Sequence, residues 1–259
     1  MVCAYTTDPL MDLMNSKTAE IRQRIELTEI LTGCETPNQY YVFSKDQEGN
    51  KKYLFKAKEE SGCCARNFCS GDSRGFKLHL RKIGFTSQMQ EKKEDYVLFD
   101  RPTKCTCCCC DRPEMIGRYV KDGSPVGRIV QPFTCCNPLI EICTKDGRTP
   151  FSISANCCQC GYCCRNNTCG RCSEVDFEIY AGKTTNGPVV GHIHKKFKGC
   201  ASMVGDADFF SLTFPKNANP EERLLLVNAV IMMDYLYYED KDSSKSGRNR
   251  NRSRGGRHR

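Results

Sequence analysis

The sequence holds no phosphate-cradling GxxxxGK[ST], no GxSxG elbow and no HExxH, so P-loop nucleotidases, α/β-hydrolases and zinc proteases have no foothold in it. It also lacks a positively charged start followed by an apolar run, since MVCAYTTDPL opens the chain. A secretory leader is therefore not expected, and the thiols are expected to sit in a reducing compartment. No apolar run reaches the length of a bilayer. The longest, Leu224 to Tyr238, has 15 residues, which as a helix span roughly 22 Å against a hydrocarbon core of about 30 Å. It also contains Asn228 and Asp234, and an aspartate at mid-membrane costs about 2.5–3.5 kcal/mol. A helix buried in the protein is favoured over a span. Net positive charge is scarce in the body as well. Of the net +8 over 259 residues, the stretch 241–259 holds seven, from Lys241, Lys245 and six arginines against Asp242 alone. Whatever partner that charge implies meets the tail.

What the chain has in excess is cysteine: 21 residues, about 8% of the total, a share that in a short secreted chain would read as a disulfide scaffold. With no leader, the thiols are expected to be free, acylated or metal-bound. The run CTCCCC at 105–110 places Cys105, Cys107, Cys108, Cys109 and Cys110 within six residues, more than a core could pack.

A helix is expected from Pro9 to Gly33, where Ile21, Ile25 and Leu31 share a face and Gly33 suits a left-handed stop. From about 40 to 215 the period changes to short apolar or alternating pieces: YYVF, KYLFKA, GFKLHL, DYVLF, GRIVQPF, LIEICT, FSISA, VDFEIYA, VVGHIH and FFSLTF. The dipeptides Asp122-Gly123, Asp146-Gly147 and Asn186-Gly187 suit tight hairpins between them. A large antiparallel sheet, closed into a barrel or sandwich, follows. Asn219 as N-cap, Pro220 at the first helical position and Glu222 three residues on then start a helix over 220–239 that is apolar on nearly every face. The barrel interior and a bilayer are its two candidate surroundings. Beyond it the Arg-rich tail reads as disordered. The expected division is a 1–35 segment with a helix, a 36–240 barrel domain and a 241–259 tail.

GCCARNFCSGDSRGFKLHL at 62–80, the cysteine cluster at 105–110, VDFEI at 175–179, GDADFFSLTFP at 205–215 and LLLVNAVIMMDYLYYE at 224–239 come in the order and spacing of the phospholipid scramblase family. ELTEILTGCET at 26–36 resembles its opening segment. The resemblance covers about 20 to 240. It implies a mainly β, Tubby-like fold, a closed antiparallel barrel around a central apolar C-terminal helix. It also implies calcium-driven, ATP-independent movement of phospholipid between leaflets, without covalent chemistry. The segment 156–172 is richer in cysteine than the family suggests, and the Arg-rich tail is not a family feature.

By the same resemblance, Asp206 to Asn217 matches the family's proposed calcium loop, with Asp206, Asp208 and Asn217 as oxygen ligands. Calcium takes six to eight oxygens, so two carboxylates predict a weak site; the alternative is a polar turn leading into a core strand. The cluster 105–110, bracketed by Pro102 and Pro113 as a loop, resembles the family's palmitoylation site, against unmodified loop thiols or a redox or metal role. Cys160-x-x-Cys163 and Cys169-x-x-Cys172 have the spacing of a tetrahedral zinc site, although acylation fits the same segment. HIHKKFKG at 192–199, with His192, His194, Lys195, Lys196 and Lys198, lies where the family has a proposed import sequence; a solvated strand edge is the plainer reading.

Three functions remain open on this reading. One is a lipid scramblase, or its membrane-anchored regulator, at the cytoplasmic face of the plasma membrane, with the tail on the anionic inner leaflet. Another is an acyl-tethered adaptor that enters the nucleus when unacylated and meets import receptors or nucleic acid through its basic segments. The third is an interaction protein stabilised by zinc.

Overall fold

A computed structural model describes residues 8–24, 37–46, 48–62, 73–85, 91–106, 111–163, 174–196 and 209–238. Helix α1, Pro9–Asn15, is capped by Asp8, whose Oδ1 accepts from Leu10 N at 3.2 Å. Twelve strands follow: β1 Thr18–Arg24, β2 Gln39–Lys45, β3 Lys51–Glu60, β4 Phe76–Phe85, β5 Glu91–Arg101, β6 Glu114–Tyr119, β7 Pro125–Val130, β8 Leu139–Thr144, β9 Phe151–Ser154, β10 Glu174–Ala181, β11 Val189–Lys196 and β12 Phe209–Thr213. Each pairs antiparallel with its neighbour in sequence, and β1 pairs with β12 (Ile21 opposite Phe210), which closes the barrel. A short helix α2, Cys160–Cys163, lies between β9 and β10, and α3, Pro220–Tyr237, ends the described chain.

The ten apolar pieces expected as strands are β2 to β5 and β7 to β12. The helix expected from Pro9 to Gly33 is corrected. It stops at Asn15, where Ser16 turns extended (φ −86°, ψ 136°), and residues 18–24 are β1. The barrel thus begins at Thr18. Ile21 also fits a period of two with Ala19, and both are buried against neighbouring strands. A strand with β2 on one side and β12 on the other satisfies its backbone on both edges, which outweighs the helical spacing. Strand β6 gave little apolar signal because an inward position is Gly117, over which the ring of Phe99 lies; a Cβ there would fall 2.6 Å from Phe99 Cε1. The turns at Asp122-Gly123 and Asp146-Gly147 use the glycines at φ 71° and 79°, as their chemistry requires. In the third hairpin the positive φ falls on Gly182 rather than at Asn186-Gly187.

Alternation sorts the strands into an apolar inside and a charged outside. In β10, Val175, Phe177 and Ile179 are buried while Glu174, Asp176 and Glu178 face out. The axis is filled by α3, buried from Glu222 through Tyr235. Its start is the expected capping box: Asn219 Oδ1 accepts from Glu222 N at 2.9 Å, and Glu222 Oε2 accepts from Asn219 N at 2.9 Å. Arg223 then ties the helix to what precedes the barrel, donating to the carbonyls of Leu13 (2.7 Å), Ser16 (2.6 Å) and Ala218 (3.0 Å). The apolar helix is therefore the barrel's axis. Among the described residues no helix is long and apolar enough to cross a membrane.

Candidate membrane interface

In an up-and-down barrel, successive connections alternate between two ends. One end receives the connections 25–38, 61–75, 102–113, 131–138, 155–173 and 197–208. These six hold every cysteine of the chain except Cys3 and Cys143. The opposite end receives 46–50, 86–90, 120–124, 145–150, 182–188 and 214–219, with no cysteine among them. Because α3 enters from the cysteine-free end and runs up the axis, the chain leaves Tyr237 at the cysteine-bearing end, and the basic stretch 241–259 follows from there.

Within the connection 102–113, Cys105 is exposed and is not in a disulfide. Its N–H donates to Asp111 Oδ2 at 2.7 Å, and that bond is the first reason the Asp111 carboxyl lies below its ordinary pKa. Lys104 Nζ bridges Glu114 at 3.1 Å and Asp111 at 3.2 Å, the Glu114 bond foremost in holding its ammonium above the usual value. The two stems are thus clamped together. Cys107, Cys108, Cys109 and Cys110 lie outside the described residues.

Connections 131–138 and 155–173 meet. Cys135, Cys136 and Cys158 are exposed, Cys157 is half-buried, and none of the four is in a disulfide. Cys157 N donates to Asn137 Oδ1 at 3.2 Å across the two connections. Partial burial first, then the thiol of Cys158 and the nearby Cys136, push the Cys157 thiol up. Gln159 pins the segment to β10, donating to Asp176 O at 2.7 Å and accepting from Asp176 N at 2.8 Å.

Of the zinc candidates, Cys160 and Cys163 bound α2, and Cys160 is disulfide-bonded. Cys169 and Cys172 lie outside the described residues. A zinc site using Cys160 would need that bond reduced, because the thiolate is the ligand. Among the described residues no three His, Cys, Asp or Glu side chains are grouped to hold a metal.

Asp206 and Asp208 also fall outside the described residues, in the connection that enters β12 at the cysteine-bearing end. The twelve-residue window does not close as one loop, since residues 209–213 form β12, hydrogen-bonded on both sides. That strand alone is roughly 13 Å long, and Asn217 is an exposed turn residue past its far end. Asn217 is thereby removed from the ligand set expected with Asp206 and Asp208. Phe210, Leu212 and Phe214 are buried, as their alternation indicated.

In the basic segment, His192 is exposed, His194 Nδ1 lies 2.7 Å from Asp176 Oδ1, and Lys196 pairs with Glu174 at 3.3 Å. Lys195, expected among the exposed basic residues, is instead wholly buried. It shares the inward parity of Gly191 and Ile193, so a receptor cannot grip the segment as a continuous basic face. Lys198 lies outside the described residues.

A family model described as Scramblase matches residues 3–240. Human phospholipid scramblase 1 is 31% identical over 231 residues, 88% of this chain and 65% of that protein. Bovine phospholipid scramblase 2 is 30% identical over 222 residues, 85% of this chain and 67% of that protein. The chain belongs to the scramblase family. It spans about two thirds or less of the length of several of these relatives, 59% in the rat phospholipid scramblase 1.

The interior of this scramblase-family barrel holds residues that motif reading did not single out as a unit. Near the cysteine-bearing end, Lys195 Nζ donates to Asp234 Oδ1 at 2.8 Å, Tyr40 OH donates to Asp234 Oδ2 at 2.9 Å, and the ammonium lies 4.0 Å from the ring centroid of Tyr238. Beside it, Tyr235 OH donates to Glu59 Oε2 at 3.0 Å, and Arg74 lies 3.4 Å from Glu59 Oε1. A lysine at inward parity in β11 and an aspartate in an apolar helix were the available signals. Taken separately, they read as a basic segment and a membrane penalty.

Among the described residues, inward strand side chains and α3 fill the axis of the barrel. A barrel that crosses a bilayer turns an apolar band outward, whereas here Glu174, Asp176 and Glu178 of β10 and Lys52 and Lys58 of β3 face out.

Proposed function

We propose that this chain moves phospholipids between leaflets, or regulates that movement, from the cytoplasmic face of the plasma membrane, without ATP and with calcium as the trigger. The relatives' names supply the lipid. The observation that carries the reading is that the stems of the connection 102–113 and the end of α3, which the basic stretch follows in sequence, lie at one end of a packed barrel. Each buried methylene of an acyl chain contributes about 0.8 kcal/mol, so one chain holds marginally and two signals hold firmly. Palmitate on Cys105 and Cys107–Cys110 with a polybasic tail meets that requirement. Since the axis is filled, lipid passes at the barrel's membrane-facing surface, where the leaflet is perturbed. Asp206 and Asp208, in the connection that leads into β12, would supply two carboxylates. The remaining positions of a calcium ion then fall to water or lipid phosphates, and weak affinity follows. An unacylated pool that reaches the nucleus would meet import receptors or nucleic acid through the tail, because Lys195 is inside the barrel.

The test is reconstitution of the full chain in vesicles of phosphatidylcholine and phosphatidylserine carrying a fluorescent lipid, read with a membrane-impermeant quencher. Calcium should increase the quenched fraction, and Asp206→Ala with Asp208→Ala should abolish the increase. An unchanged quenched fraction with the parent chain would overturn the reading.

A further inference from the structure

We infer that the barrel stands end-on on the bilayer, and that Cys135, Cys136, Cys157 and Cys158 form a second S-acylation patch on the membrane-facing end, the end that also bears Cys105. The inference rests on the membrane reading above and adds to it a site and an orientation.

Four observations converge. None of the four thiols is in a disulfide, and they come from two connections that touch each other, through the bond from Cys157 N to Asn137 Oδ1 at 3.2 Å. Three of the four are exposed. Phe133, in the same connection as Cys135 and Cys136, is 56% exposed, an aromatic side chain placed in water next to a thiol pair. And the strand order puts these connections at the end where 102–113 is also anchored and where the chain leaves α3 toward its basic stretch. A metal role has no support in the geometry, because the described side chains include no group of three ligands. Cys143 supplies the internal contrast: it lies in β8, only 4% exposed, pointing into the barrel wall.

The chemistry is acyl transfer from a long-chain acyl-CoA. A cysteine sulfur attacks the thioester carbonyl carbon, a new carbon–sulfur bond forms, and the bond to the coenzyme A sulfur breaks. Coenzyme A leaves as the thiol with the proton the cysteine gave up, and no oxidant or reductant is consumed. Exposed Cys135, Cys136 and Cys158 are better placed as acceptors than half-buried Cys157, whose thiol is the one pushed up. Chains attached on several connections around one rim fix the barrel axis across the membrane plane, which a single anchored loop does not.

The rival surface is the opposite end, where Met11, Met14 and Val120 are exposed. The experiment sets the two against each other. The full chain, produced in mammalian cells, is digested with trypsin, and the peptides 129–145 and 149–165 are weighed before and after neutral hydroxylamine. Hydroxylamine-labile acyl groups are expected on Cys135, Cys136 or Cys158 and not on Cys143. A chain with Cys105, Cys107, Cys108, Cys109 and Cys110 all changed to serine should keep part of its acylation. Adding Cys135→Ser, Cys136→Ser, Cys157→Ser and Cys158→Ser should then lower its membrane-bound fraction by more than about tenfold, because the remaining acyl signals are gone.

The native chain has no tryptophan, so Phe133→Trp and Val120→Trp each give a single reporter. In phosphatidylcholine–phosphatidylserine vesicles containing brominated lipid, the first should be quenched several-fold more than the second. The absence of labile acyl groups from both peptides, or stronger quenching of Val120→Trp, would overturn the inference. Lipid movement by an unacylated patch would leave the proposed function standing without it, and acylation without lipid movement would do the reverse.

Discussion

Lys195 Nζ meets Asp234 Oδ1 at 2.8 Å with both side chains all but closed to solvent, at 1% and 6% exposure. One residue is on β11 and the other on the helix that fills the barrel, so the pair joins wall to axis. Tyr40, from β2, holds the second carboxylate oxygen. A buried pair adds little relative to an apolar replacement, but breaking it strands a charge. Its value is therefore registry: it fixes the rotation and height of α3 against two strands.

Lys195→Met alone should lower unfolding stability by about 3–5 kcal/mol, the cost of an uncompensated buried carboxylate. Lys195→Met combined with Asp234→Leu should recover most of it. Urea titrations of the three chains check this, and a double variant no better than the single one would show that the pair does more than satisfy its own charges.

Glu20 on β1 gives the pH dependence. Burial alone would raise its pKa, but hydrogen bonds from Lys51 and Arg22 outweigh that and hold it below its ordinary 4.5. A carboxyl depressed on folding contributes stability above its unfolded pKa and loses it as pH falls through the folded value. Glu20→Gln should therefore lower the melting temperature at neutral pH, and the gap from the parent should shrink as pH falls below 4.5. A gap constant across that window would place the effect in packing rather than charge.

Much of this arrangement was legible beforehand, for reasons that differ by residue. Asn219, Pro220 and Glu222 announce the start of α3 because helix capping is local chemistry, and strands such as β10 announce themselves because burial on one face imposes a period of two. Residues 18–24 did not, since Ile21 fits both periods and only pairing with β2 and β12 decides between them. Asn217 looked like a ligand by counting along the chain, until a strand separated it from Asp206 and Asp208. The convergence of scattered cysteines at one end depends on strand order, which no cysteine spacing encodes. Lys195 and Asp234 lie 39 positions apart, and nothing local ties them.

Arg223 anchors α1 through the carbonyls of Leu13 and its C-cap Ser16, and its forked head reaches that of Ala218 as well. Arg223→Leu should release α1, seen as faster amide exchange over residues 9–15 and about 2–4 kcal/mol of lost stability from buried carbonyls left unpaired. Arg223→Lys should restore little, because a single ammonium cannot span the fork's acceptors.

At the membrane, replacing Cys105 and Cys107–Cys110 with serine should move much of the protein to the soluble fraction, leaving only what the second patch and the tail retain. Cell fractionation with and without hydroxylamine checks it. Full membrane retention after removal of all acyl groups would exclude lipidation as the anchor.

The tail supplies the final prediction. Because α3 is buried inside the barrel and ends at the cysteine-bearing end, residues 241–259 should stay on the same side of the membrane as the barrel itself. An epitope placed after Arg259 should be reached by antibody only in permeabilised cells. Six arginines and two lysines beside anionic lipid are each worth about 1 kcal/mol at most, and the attraction decays over a Debye length of roughly 8 Å at physiological salt. Removing 241–259 should thus weaken binding to phosphatidylserine-containing vesicles strongly at low salt and little at high salt, while acyl-dependent binding stays constant. Antibody staining of intact cells would mean that the helix crosses the bilayer outward, and the packed barrel would then have to open for it to do so.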